Sequence, residues 1–95
     1  MHHVSMLVFR VHAVQRMFQR HISVADVRRV LDCGQELETY PNDQPFPSRL
    51  LLGWCERRLL HVVVAQNDVD DETIVITAYE PDPALWDAGF TRRRP

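Results

Sequence analysis

Three ionisable side chains stand four residues apart early in the chain: His12, Arg16 and Arg20, inside the stretch FRVHAVQRMFQRHIS. On an α-helix, residues i, i+4 and i+8 drift only slowly around the axis, so this spacing aligns one imidazole and two guanidiniums along nearly one face. Such a row suits a polyanion. RNA is cleaved by side chains alone when a base takes the 2′-hydroxyl proton and cations hold the phosphate as charge builds on it. Histidine, with a pKa near ~6.5, suits the first task and arginine the second. The row also has a plainer reading. A helix lying on a sheet must show water something polar, and Arg and Gln are good helix formers.

Other candidates lie in the second half. His61 stands where LLHVVVA enters what reads as a central strand, either as a core histidine bonded to a backbone carbonyl or facing the cleft beside the first helix. Tyr79 and Glu80 close the last strand just before Pro81, where side chains often line the rim of a site. Arg49 opens a strand after a proline-rich loop, and Arg57 with Arg58 reads as an exposed hairpin turn. Several classes drop out. Gly34, Gly53 and Gly89 form no phosphate loop, no serine sits in a nucleophile elbow, and no His-Glu-x-x-His helix is present. His2 with His3, and His12 with His21, are poorly spaced for a metal, so neither a metal nor a cofactor is expected. Cys33 and Cys55 match no metal spacing or disulfide framework and read as small buried hydrophobes.

These residues need elements to hold them. Val11, Val14, Met17 and Phe18 follow helical spacing and predict a first helix over residues 10–20, apolar on that side. Ser23 and Asp26 form a capping-box pattern ahead of Val24, Val27, Val30 and Leu31, predicting a second helix over 24–33 that stops at Gly34. QELETY alternates like a short strand, and PNDQPFP, residues 41–47, is a loop. SRLLLGWC, LLHVVVAQ and ETIVITAYE then predict an antiparallel meander. The expected fold class is α+β: two N-terminal helices packed on a four-stranded antiparallel sheet, in the order ααββββ. Trp86 and Phe90 are expected to pack a last helical turn on the sheet. The ends, residues 1–5 and 91–95, are expected to be flexible around a core of 9–86.

Ninety-five residues with 45% hydrophobic and 25% charged side chains bound a single globular domain. No apolar run approaches the ~20 residues that cross a bilayer and no signal-peptide pattern opens the chain, so a cytoplasmic protein without a membrane partner is expected. The net charge of −2 hides an asymmetry: residues 1–30 carry five arginines against one acid, Asp26. Every cation is arginine, which grips phosphate as a two-pronged fork, although codon bias in a GC-rich genome yields the same composition.

Taken together, HAVQRMFQRHIS resembles the histidine-alanine-x-x-arginine-methionine start of a bacterial group of domains of unknown function, DUF4258. LLHVVVA and TIVITAYEPD resemble its middle and final strands. That group is similar in fold to RelE-like and BrnT-like toxins, small metal-independent ribonucleases with helices packed on a curved antiparallel sheet. The resemblance, over residues 9–86, places His12 and Arg16 in the family's helix motif, His61 at its strand position, and Tyr79 with Glu80 on its terminal strand. Two features depart from it. Such toxins are basic overall whereas this chain is acidic, which makes any RNA contact local. The chain also reads Arg20, His21, Ile22 where the family often places a glycine before the isoleucine.

Two functions follow. One is a toxin-type endoribonuclease using His12, Arg16, His61 and Tyr79 as catalytic groups, with Arg20 and Arg49 binding RNA. The other is a non-catalytic interaction module of the same fold, pairing through an exposed sheet edge or the apolar end of ALWDAGF. The partners to look for are RNA, an antitoxin protein and a second copy of the chain. The first function requires His12 and Arg16 to converge with His61 or Tyr79 in one cleft.

Overall fold

A computed structural model describes residues 5–95. Residues 1–4, which include His2 and His3 and most of the expected flexible N-terminus, lie outside the described residues. The elements run β1 (Met6–Phe9), α1 (Val11–Gln19), α2 (Val24–Cys33), β2 (Gln35–Tyr40), β3 (Ser48–Cys55), β4 (Arg58–Asn67) and β5 (Glu72–Tyr79). The fold is α+β, with both helices on one face of a five-stranded sheet ordered β1-β5-β4-β3-β2. Strands β2 to β5 form the expected meander. β1 corrects the four-stranded, all-antiparallel expectation: it pairs parallel with β5, Met6 beside Glu72 and Phe9 beside Val75. Four apolar residues are too few to show an alternation, and this strand exists only once the last strand of the meander lies alongside it.

The helices carry the chain from one edge of the sheet to the other, α1 packing on β5 and α2 on β3. The core between the layers joins Ala13, Met17, Ile22, Val27 and Val30 to Leu51, Leu60, Val62, Val64, Val75 and Ala78. α1 is therefore rotated from its expected orientation. Ala13 and Met17 face the sheet, while Val11, Val14 and Phe18 are 70%, 51% and 84% exposed. A single residue, Arg10, separates β1 from α1, so the strand's pairing dictates the helix's phase. The small Ala13 then lets the helix backbone approach β5.

α1 ends in a Schellman motif. Ile22 N–H donates to Met17 O at 2.9 Å and His21 N–H to Phe18 O at 3.3 Å, with His21 in the left-handed region at φ 56. Here a histidine adopts a conformation that glycine takes more readily, and burial of Ile22 completes the motif. The capping box of α2 forms as expected: Asp26 N–H donates to Ser23 Oγ at 3.0 Å and Ser23 N–H to Asp26 Oδ2 at 2.9 Å. Gly34 ends α2 with an ordinary extended backbone, φ −77, so its glycine is a matter of space. A Cβ there would lie 2.4 Å from Val30 O and 2.8 Å from Leu52 O.

The other face of the sheet is covered around His61 by the end of the chain. Leu85 and Trp86 N–H both donate to Asp82 O, Trp86 pairs with Arg93 as an isolated bridge, and Arg94 N–H returns to Leu85 O at 2.8 Å. The segment expected to be loose is thus tied back on itself, and Trp86 is 2% exposed. Cys55 is buried, its thiol donating to Asp26 O, but Cys33 is exposed, contrary to expectation, because it sits on the outer side of α2's last turn.

Candidate functional site

Alternation along β4 and β5 turns His61 and its register partner Tyr79 toward the face away from the helices, while Val62 and Ala78 join the core. Tyr79 Oη lies 3.3 Å from His61 Nδ1, and His61 Nε2 lies 3.0 Å from Phe90 O. A carbonyl only accepts, so Nε2 carries the proton and Nδ1 accepts the Tyr79 hydroxyl. The imidazole is fully buried, edge-on to Trp86 with ring centroids 4.4 Å apart. Burial is the main cause that pushes its pKa below the ordinary value; Arg93 acts the same way, against the Phe90 carbonyl and Glu38. Burial likewise raises the Tyr79 phenol, with Arg93 and Arg20 pulling against it. Both groups are uncharged at neutral pH.

Tyr79 opens onto a cleft of ≈ 520 Å³ between the end of α1 and the C-terminal segment. Arg20, Arg58 and Arg93 line it as cations, Glu80 and Asp82 as acids, and Leu85 and Trp86 as an apolar wall. Arg20 reaches in from the last turn of α1 and donates to Ala78 O at 2.9 Å. Arg93 stacks over Trp86, its guanidinium carbon 4.8 Å from the ring centroid. Arg58 is already engaged: it donates to Arg20 O and His21 O at 2.8 and 2.6 Å and pairs with Glu80 at 2.7 Å. Its cation therefore sits on the orphan carbonyls at the C-terminus of α1, where the helix dipole favours positive charge. Arg93 also borders a shallower groove with Tyr40 and Ser48, where the Tyr40 hydroxyl donates to Glu38.

The structure brings some of the expected residues together and leaves others apart. Arg20 and Tyr79 share the cleft, and His61 lies directly behind Tyr79. His12 and Arg16 are exposed on α1 and do not line the cleft, so the row along the helix enters it only through its last member. Arg49 is elsewhere. It pairs with Val64 in the sheet register, on the helix-side face, and its guanidinium lies 3.7 Å from Glu36. Arg58, read as part of an exposed turn, opens β4 and anchors α1. Sequence reasoning also missed Arg93, read as one of three solvated arginines. Its aromatic partner Trp86 was the available signal, since a cation close to a tryptophan in sequence can fold back over the ring.

Fold and cleft together define a small mixed α+β domain whose sheet carries a histidine–tyrosine pair beside a basic pocket. The family model for a domain of unknown function, DUF4258, matches residues 9–80, and the chain belongs to that family. No curated protein and no solved structure gives a significant match. The matched region holds Arg20, Arg58, His61 and Tyr79, whereas Trp86 and Arg93 lie beyond it. Among the described residues no helix is long and apolar enough to cross a membrane.

Proposed function

We propose that this protein is a small endoribonuclease of the toxin type, acting on RNA in the cytoplasm with its own side chains, and that its reaction centre is the Tyr79 cleft. The observation that carries the reading is the Tyr79–His61 hydrogen bond opening onto a cleft bordered by Arg20 and Arg93. In this reading a 2′-hydroxyl donates to the Tyr79 oxygen, and the phenolic proton passes to His61 Nδ1. The 2′-oxygen then attacks phosphorus, the bond to the 5′-oxygen breaks, and water protonates the leaving alkoxide. The products are a 2′,3′-cyclic phosphate and a 5′-hydroxyl. Arg20 and Arg93 hold the phosphate oxygens as charge builds. A base whose pKa is lowered by burial is weak, so the expected turnover is slow.

The test is cleavage of a short ribo-oligonucleotide in EDTA. Tyr79→Phe and Arg20→Ala should each lower the rate by about 10²-fold or more, while His12→Ala, outside the cleft, should change it little. An all-deoxy substrate should survive. Equal cutting of the deoxy strand, or no cleavage by the parent protein, overturns the reading. Absence of cleavage favours the alternative of a non-catalytic interaction module, which has its own supporting observation: His61 is fully buried with Nε2 satisfied by a backbone carbonyl, as a core histidine would be.

A further inference from the structure

A second hollow lies on the sheet face that carries His61 and Tyr79. It measures ≈ 640 Å³, within the ~300–1,000 Å³ of small-molecule sites, and the chemistry proposed for the Tyr79 cleft leaves it unused. Alternation brings Val63 to this face, two residues on from His61 and so ~7 Å along β4. Beside it stands Ile76. The β4–β5 register moves from Val63–Thr77 to Val64–Val75, so Ile76 is the extra residue of a bulge, and it lines the groove. Tyr40 and Ser48, paired where β2 ends and β3 begins, add a phenol ring and a hydroxyl. Both are held in place, the Tyr40 hydroxyl donating to Glu38 and that of Ser48 to Asp43 at 2.7 Å.

Among the described residues Arg93 alone lines both this groove and the Tyr79 cleft. Burial raises the phenols of Tyr79 and Tyr40 alike, and the Arg93 cation pulls down on each, as a charge standing between them must. The two hollows differ in chemistry. The cleft has three cations, whereas Arg93 is the only one among the described residues of the groove, so a phosphate fits at the groove's border and not on its floor. Half-buried Val63 and Ile76 beside an aromatic ring suit a flat ring with apolar faces and polar edges, which is a nucleobase. The order of these groups follows an RNA strand. Where Tyr79 takes the 2′-hydroxyl and Arg93 the phosphate, the nucleotide beyond Arg93 is the one on the 3′ side of the cut.

We propose, resting on the endoribonuclease reading, that the groove binds the base of the nucleotide on the 3′ side of the scissile phosphate. The substrate is then an unpaired strand, since a base stacked and paired in a duplex cannot enter. The probe is a single-stranded 2′-fluoro RNA of about six residues, which has no 2′-hydroxyl to attack phosphorus, titrated into the full chain and followed by methyl NMR. Its binding should shift Val63 and Ile76 together with Leu85 of the cleft. Affinity should fall about tenfold in Tyr40→Ala, which loses the ring, and little in Tyr40→Phe, which keeps it. The same strand in a duplex should leave Val63 and Ile76 unmoved. Absence of binding, shifts confined to the Tyr79 cleft, equal shifts from the duplex, or equal affinity in Tyr40→Ala overturn the subsite. Should Tyr40→Ala fail to fold, the Val63 and Ile76 methyls of the parent protein decide. Cleavage of the matching ribo-oligonucleotide is followed in parallel. Groove shifts in a protein that cuts no RNA would refute the nuclease reading and keep the base site, whereas cleavage with an unmoved groove would refute the base site and keep the nuclease.

Discussion

Replacing Trp86 with alanine tests whether the C-terminal segment is packed on the sheet face that carries His61. The indole is 2% exposed, stands edge-on to His61 at 4.4 Å, and has the Arg93 guanidinium 4.8 Å above it. A tryptophan buries ~150–250 Å² of largely apolar surface, or ~4–6 kcal/mol at the usual transfer coefficient before correction for a compact unfolded chain. Measured truncations of large aromatics cost about 3–5 kcal/mol, and an exposed-side cation–π contact adds about 0.5–1. Trp86→Ala should therefore lose about 3.5–6 kcal/mol in urea denaturation, a large part of the stability of a domain this size. Trp86→Phe should retain more than half of it. His61 supplies a second readout. With the indole gone water reaches the imidazole, and its pKa, followed by NMR, should climb back toward the ordinary value. A loss below about 1 kcal/mol with unchanged His61 titration would refute the packing of this segment on His61.

Three further outcomes follow from local geometry. Because burial holds the folded His61 pKa below that of the unfolded chain, acidification through the ordinary histidine range protonates the unfolded state first. Stability, full at neutral pH, should fall as pH drops below ~6.5, by up to ~1.4 kcal/mol per pH unit, and His61→Asn should flatten that slope in urea titrations at stepped pH. Gly34→Ala should cost more than ~2 kcal/mol, since its Cβ would meet two backbone oxygens that cannot move aside, and a denaturation midpoint matching the parent would contradict the close approach. Ser23→Ala should lower stability by ~1 kcal/mol through loss of the α2 cap, while Ser23→Asp should largely preserve it, with helix-end amide exchange as the check.

Much of the fold was legible because it is local. Helix α2 lies at the residues its capping box and valine spacing predict, and the meander follows from apolar runs separated by turn residues. Less of the site was. The pairing of Tyr79 with His61 rests on strand register, which alternation alone hints at, but the position of Arg93 and the anchoring of α1 by Arg58 depend on contacts between distant segments. His12, Arg16 and Arg20 share a spacing, yet only Arg20 stands far enough along α1 to reach the C-terminal end of β5.

The sequence by itself determined which segments become helix and strand from α1 onward, because helical and strand periods, caps and turn residues act within a few positions of one another. It also determined membership of the family, whose model matches residues 9–80. Only the tertiary structure decided that a short first strand pairs with the last, and through the one-residue link at Arg10 that pairing set which side of α1 is buried. It turned the expected apolar face outward and brought one arginine of the row to Tyr79. Burial and long-range pairing are properties of the assembled layers, so no window of local sequence contains them.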